Sequence, residues 1–162
     1  RYLQTVPGRM QIVNHPLCKA TIIVDYAHTP NALENAILAV KKMNVSGKIY
    51  TLFGCGGERD HEKRSKMGEV AFKNSDFTII TDDNPRTEDP SLIRKSIINN
   101  NPIAIEIPGR DLAIKKAISF LKDDDVLIIA GKGHEQTQTI GIETLPFDDV
   151  AVIKNTLDRL NP

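Results

Sequence analysis

The run "DVLIIA", residues 125–130, constrains the fold more than any other stretch of this chain. Its apolar core, Val126 to Ala130, has no polar face, so a strand made of it must be covered on both sides. The residues before it, "GRDLAIKKAISFLK", read as a helix with Ala113, Ala117, Phe120 and Leu121 inward. The same alternation runs along the chain. "QIV" and "TIIVDY" are β-branched runs that read as strands. "PNALENAILAVKKM" follows as a helix with Leu33, Ala36, Ile37 and Val40 on one face. Thr29 is placed to cap it, and Pro30 stands at the first helical position, where a missing N–H costs nothing. "KIYTLF" and "DFTII" read as further strands, separated by a helix from about His61 to Lys73. Asp89 and Pro90 repeat the cap-plus-proline signal and open a helix through Ile97. "IAIEI" alternates as a strand, "GKGHEQTQ" reads as a polar loop, and a last helix starts near Asp148 with Val150, Ile153, Leu157 and Leu160 on one face. Strands alternating with helices imply parallel crossovers. The expected fold is therefore α/β, a doubly wound, mostly parallel sheet with helices on both faces.

The 162 residues fit one domain, and no internal repeat, low-complexity tract or linker interrupts them. Lys plus Arg and Asp plus Glu each number 21, which argues against a nucleic-acid module with its basic excess. No apolar stretch approaches the ~20 residues that span a bilayer. Cys18 and Cys55 form no motif with each other or with the histidines, so a reduced, cytoplasmic protein is expected. The chain begins with Arg, which suggests an excised domain or fragment.

In a doubly wound sheet, ligands bind beyond the carboxyl ends of the strands. Four polar clusters fall at such ends: Asp25–His28, Gly54–Asp60, Asp82–Arg86 and Gly131–Glu135. "GCGGERD" is not a dinucleotide fingerprint, because its third glycine is misplaced and it follows a later strand. Its glycines suit a tight turn. Arg59 after them suits a carboxylate or phosphate, or equally an ion pair with Asp60 or Glu62. Asp25 suits ribose hydroxyls or a capping role, and His28 has no metal-ligand partner at i+4. "GKGHEQ" is no P-loop. It offers either a flexible turn with exposed charge or an ammonium site built from Glu135 and carbonyls freed by glycines. "DDNPR" combines an acceptor, an amide, a rigid kink and a guanidinium. Pro85 biases Asn84 toward an extended backbone. The set fits a zwitterionic amino-acid group, or simply a turn before a capped helix.

The motifs "VPGRM", "VDYAHTPNALENAI", "FGCGGERDHEKR", "TDDNPRTEDP" and "AGKGHEQTQ" occur in the order of the C-terminal domain of the Mur ligases, which the chain resembles over nearly its whole length. Within that family it looks most like the members that add meso-diaminopimelate to UDP-N-acetylmuramoyl-L-alanyl-D-glutamate in bacterial peptidoglycan synthesis. DNPR is the diaminopimelate signature there. "GERD" departs slightly from the Asp that many relatives place before the Arg. The resemblance implies that Arg59 binds a carboxylate of the incoming amino acid. Asn84 and Arg86 would recognise its distal zwitterion, with Asp83, Gly131 and Glu135 around the ammonium group. Arg9 would meet the ATP γ-phosphate, Asp25 the ribose, and His28 would lie on the nucleotide side.

The resemblance also implies what residues 1–162 lack. The UDP-binding N-terminal domain and the ATP-binding central domain, with its P-loop and magnesium ligands, are absent. ATP and Mg²⁺ are thus expected for the parent enzyme and not as stable ligands of this domain, which is expected to be inactive alone, monomeric and cytoplasmic, with no nucleic-acid or membrane partner. Competing expectations are a lysine-adding Mur ligase or a folylpolyglutamate synthase. A phosphoacceptor signalling domain would use Asp82, Asp83 and Lys132, and a plain NAD-binding module is the remotest reading.

Overall fold

The computed structural model describes residues 6–16 and 18–160. In chain order the elements are β1 (Gln11–Ile12), β2 (Thr21–Asp25), α1 (Pro30–Lys41), β3 (Ile49–Phe53), α2 (Glu62–Asn74), β4 (Phe77–Ile80), α3 (Pro90–Ile98), β5 (Ile105–Glu106), α4 (Arg110–Phe120), β6 (Val126–Ala130), β7 (Thr137–Ile140), β8 (Glu143–Pro146) and α5 (Asp149–Leu160). Strands β1-β2-β6-β3-β4-β5 form one sheet in that order. All its neighbours are parallel except the β1–β2 edge pair. The expected α/β architecture is present.

β6 lies between β2 and β3, and all five of its residues are buried. Successive strand side chains point to opposite faces. Val126, Ile128 and Ala130 therefore join Ile23, Phe53 and Ile80 in a core shared with α1, α2 and α3. Leu127 and Ile129 join Ile22, Val24, Leu52 and Ile79 under α4 and α5. Both helix caps read from the sequence are made. The Ala32 amide donates to Thr29 Oγ1 at 3.3 Å and the Ser91 amide to Asp89 Oδ1 at 2.8 Å.

Some expectations need correction. Phe120 ends α4 and is 41% exposed, while Ile114 and Ile118 fill the core with Ala113 and Ala117. Leu160 at the end of α5 is exposed, and Val150 is only partly buried. "IAIEI" shrinks to the two-residue edge strand β5. The loop expected over "GKGHEQTQ" stops short, because Thr137–Ile140 pairs antiparallel with Glu143–Pro146 as a hairpin. Its two-residue connection begins with Gly141 at φ +60°, the conformation a glycine-first hairpin turn requires.

Candidate functional site

The parallel strands release the chain at one sheet edge. The loops after β2, β3, β4 and β6 meet there around a cavity of about 320 Å³. Arg59, Asp83, Asn84, Arg86, Gly131 and Glu135 all line it, with Tyr26 and His28 at its margin. Glycine is needed where these loops touch. A Cβ at Gly57 would stand 1.9 Å from the carbonyl oxygen of Pro85, so the glycine turn and the DNPR loop can be in contact only without a side chain there.

The cavity wall around Gly56 is rich in donors: a Cβ there would lie 3.0 Å from Arg86 Nη1 and 3.6 Å from Arg59 Cγ. Arg86 has φ +53°, a left-handed backbone uncommon for a non-glycine residue. The hairpin holds it there: the Arg86 amide donates to Thr139 O at 3.1 Å, and the Gly141 amide donates to Arg86 O at 2.7 Å. Arg86 Nη1 donates to Gly57 O at 2.7 Å. Among the described residues, Nε and Nη2 have no protein acceptor, so two of the guanidinium's edges remain for a ligand. Asn84 Oδ1 accepts from Lys132 Nζ at 2.9 Å and from the Thr139 amide at 3.0 Å. Arg59 is exposed and forms no ion pair among the described residues. Asp60 instead accepts from the Glu62 amide, and Glu62 pairs with Lys66. Arg64 braces this wall from below, donating to Gly56 O at 3.2 Å and to Glu88 Oε1 at 3.0 Å.

The acids stand beside Asn84, around the same Lys132 ammonium. Asp83 is 9% exposed, with Oδ1 4.0 Å from Lys132 Nζ and Oδ2 4.0 Å from Arg110 Nη1. A Cβ on Gly131, whose φ is +113°, would approach Asp83 Oδ2 to 2.8 Å. Glu135 Oε2 lies 3.7 Å from Lys132 Nζ. Arg110 is fully buried and forked onto Asp149, with Nε to Oδ1 at 2.8 Å and Nη2 to Oδ2 at 2.7 Å. Burial opposes the Arg110 charge, but the carboxylates of Asp149, Asp83 and Glu135 together outweigh it and raise the guanidinium's pKa.

Arg9, Asp25 and His28 lie beside this cavity. Arg9 is exposed, with its guanidinium carbon 5.6 Å from the centroid of the Tyr26 ring. The His28 ring meets the same tyrosine edge-on at 4.7 Å. Asp25 ties two loop segments together: Oδ2 accepts from the Met10 amide at 2.7 Å and Oδ1 from the Ala27 amide at 2.8 Å. Its carboxylate thereby anchors the "VPGR" turn, which rests on the "GKGH" loop. A Cβ at Gly8 would lie 2.1 Å from the His134 nitrogen.

The family model described as Mur ligase, glutamate ligase domain matches residues 8–133, most of the chain. The chain belongs to the Mur ligase family. The protein of Rickettsia rickettsii named UDP-N-acetylmuramoyl-L-alanyl-D-glutamate–2,6-diaminopimelate ligase is 48% identical over 163 residues, covering 99% of this chain and 33% of that protein. A solved structure of a ligase bearing the same name superposes with a TM-score of 0.89 at 37% identity, covering 97% of this chain and 32% of the other. A folylpolyglutamate synthase/dihydrofolate synthase of Yersinia pestis, complexed with AMPPNP and a Mn ion, shares the fold at a TM-score of 0.62 and 16% identity, over 98% of this chain and 32% of that one. The chain thus spans about a third of the length of the curated relatives it matches.

Three side chains of this Mur ligase domain escaped the sequence reading. Lys132 stands in a loop that reads either as a flexible turn with exposed charge or as an ammonium site, and it is wholly buried. Arg110 and Asp149 lie 39 residues apart and carry no local signal that they meet. The hairpin did have a signal, a glycine-led two-residue step between two alternating segments. Asp82 faces away from the cavity into an ion pair with Arg94, and its Oδ2 accepts from the Gly109 amide at 2.8 Å. That commitment, with Lys132 buried, removes the arrangement a phosphoacceptor site would need. Cys55 lines the cavity, and burial pushes its thiol up to about 12, which keeps it in the thiol form at neutral pH. Among the described residues no group of three or more His, Cys, Asp or Glu side chains is placed to hold a metal ion.

Proposed function

We propose that this chain is the C-terminal, amino-acid-accepting domain of a longer, ATP-dependent bacterial ligase. The parent enzyme adds meso-diaminopimelate to UDP-N-acetylmuramoyl-L-alanyl-D-glutamate, in the cytoplasm, during peptidoglycan synthesis. The observation that carries the reading is the polarity of the cavity. Arg59, Asn84 and Arg86 offer donors and Asp83 and Glu135 offer acceptors on the wall of one cavity, and Asn84, Asp83 and Glu135 all stand around Lys132 Nζ. Such a pocket suits a ligand with separate carboxylate and ammonium groups.

Diaminopimelate differs from lysine by one carboxylate on the distal carbon. Arg86 receives that carboxylate through Nε and Nη2, while Asn84 Nδ2 donates beside it. Asp83 and Glu135 take the neighbouring ammonium. Lysine would leave Arg86 facing no anion, and an unmet charge in a partly desolvated site is costly. Arg59 holds the carboxylate at the other amino-acid centre, so the reactive amine is aimed out of the cavity toward the D-glutamyl group. The domain's contribution to rate is thus orientation of the nucleophile.

Arg9, Tyr26 and His28 fit one wall of a nucleotide site: an exposed guanidinium for a phosphate and two rings for a base. Asp25, with each oxygen already accepting a backbone N–H, keeps only its remaining lone pairs for a ribose hydroxyl. ATP, when bound between this wall and the parent's central domain, supplies the activation of the glutamyl carboxylate.

ADP release by the purified parent enzyme tests the reading. With the UDP-substrate present, kcat/KM for meso-diaminopimelate is expected to exceed that for lysine by roughly 10³-fold or more. The isolated chain is expected to release no ADP. Equal use of lysine would replace this reading with a lysine-adding ligase.

A further inference from the structure

Lys132 has no accessible surface, so it cannot touch a ligand, and yet it joins three pieces of the site. Its Nζ donates to Asn84 Oδ1 in the loop after β4 at 2.9 Å, and to Thr137 O at the start of the hairpin at 2.8 Å. Its remaining proton faces Glu135 Oε2 at 3.7 Å and Asp83 Oδ1 at 4.0 Å.

The two donors at Asn84 decide which way its amide points. An ammonium can only donate, and so can the backbone amide of Thr139. Both converge on one atom of the Asn84 side chain, at 2.9 and 3.0 Å, so that atom must be the oxygen. A flipped amide would set an NH₂ group against two donors and lose both bonds. The NH₂ group is therefore the side-chain end left without a partner among the described residues, on a residue that lines the cavity. A neutral residue at 132 would leave the Thr139 amide alone to hold the oxygen.

We propose that Lys132 is a positioning residue: it fixes the Asn84 amide with its NH₂ group toward the cavity and thereby makes that part of the pocket selective for a carboxylate. The inference rests on the amino-acid-binding reading above and deepens it, because it assigns part of the selectivity to a side chain that never meets the substrate. Lys132 also stands beside both acids, with Nζ 4.0 Å from Asp83 Oδ1 and 3.7 Å from Glu135 Oε2. Burial pulls the Lys132 pKa down, and Asp83 and Glu135 act against that.

A double-mutant cycle in the parent enzyme tests the proposal. Lys132→Met is expected to raise KM for diaminopimelate about tenfold or more relative to lysine, with kcat falling less and KM for ATP unchanged. Asn84→Ala is expected to do the same. If Lys132 acts through Asn84, the double variant is no worse than about twice the poorer single one, because coupled sites are not additive. Multiplication of the two penalties would overturn the proposal, as would an equal rise of KM for diaminopimelate, lysine and ATP. If Lys132→Met is insoluble, Lys132→Gln replaces it in the cycle, since its neutral amide is shorter and cannot reach as the ammonium does. A wild-type enzyme that uses lysine as well as diaminopimelate would overturn the underlying reading instead.

Discussion

Replacing Arg86 by Asn in the parent enzyme is expected to lower kcat/KM for diaminopimelate by about 2–4 kcal/mol, roughly 30- to 10³-fold, and to leave lysine use unchanged or improved. Asparagine is the informative substitute. At φ +53° a β-branched or bulky residue would strain the loop, whereas asparagine adopts the left-handed region readily. The backbone bonds to Thr139 and Gly141 then survive, and the cavity keeps its outline. The fold loses two bonds, from Nη1 to Gly57 O at 2.7 Å and to Asn84 O at 3.4 Å, the shorter worth about 1 kcal/mol. The main loss is of the guanidinium edges that face the ligand, so the penalty should track the distal carboxylate and nothing else. Steady-state kinetics with both amino acids measures it. An unchanged preference for diaminopimelate would remove Arg86 from the selectivity assignment.

Asp149→Ala is expected to be among the most destabilising single changes in the chain, costing about 3–5 kcal/mol in urea denaturation. Both members of the Arg110–Asp149 pair are buried, and two short bonds join them. Removing the carboxylate strands a guanidinium that already has one unmet nitrogen: Arg110 Nη1 is buried without a hydrogen-bond partner. Arg110 Nη2 would keep only the carbonyl of Ala130, at 3.1 Å. Arg110→Met is expected to cost a similar amount, because it leaves the buried Asp149 carboxylate unpaired; the double change Arg110→Met, Asp149→Leu removes both charges and is expected to recover most of the loss. A typical domain is stable by only about 5–15 kcal/mol, so the single change is readily seen. A cost under about 1 kcal/mol would mean that the pair is not the strut between α4 and α5 that its geometry describes. Because Arg110 Nη1 also faces Asp83, the pair ties the floor of the cavity to the helical layer below it.

Local pattern carried much of this structure. The apolar run in β6, the cap-plus-proline starts of α1 and α3, and the alternation of strand and helix are short-range signals, and each appears where the residues indicate. The cavity was legible for the same reason. Its walls are loops at strand ends, so "GER", "DDNPR" and "GKGHE" each announce themselves before the fold brings them together. What was not legible depends on distance or on helix phase. Lys132 between two glycines looks like a solvated charge until Asn84 and Thr137 arrive from elsewhere. Arg110 and Asp149 sit at the first turns of two different helices. Phe120 fits the apolar spacing of α4, yet the helix ends there and the ring stays in solvent. β7 and β8 expose most of their residues, so their sequence shows little alternation of burial.

A structure of the parent enzyme with meso-diaminopimelate bound tests the central assignment most directly. The distal carboxylate is expected about 3 Å from Arg86 and Asn84 Nδ2, with the adjoining ammonium between Asp83 and Glu135 and the other carboxylate at Arg59. A ligand bound outside this cavity, or one whose distal carboxylate faces Asp83, would contradict it.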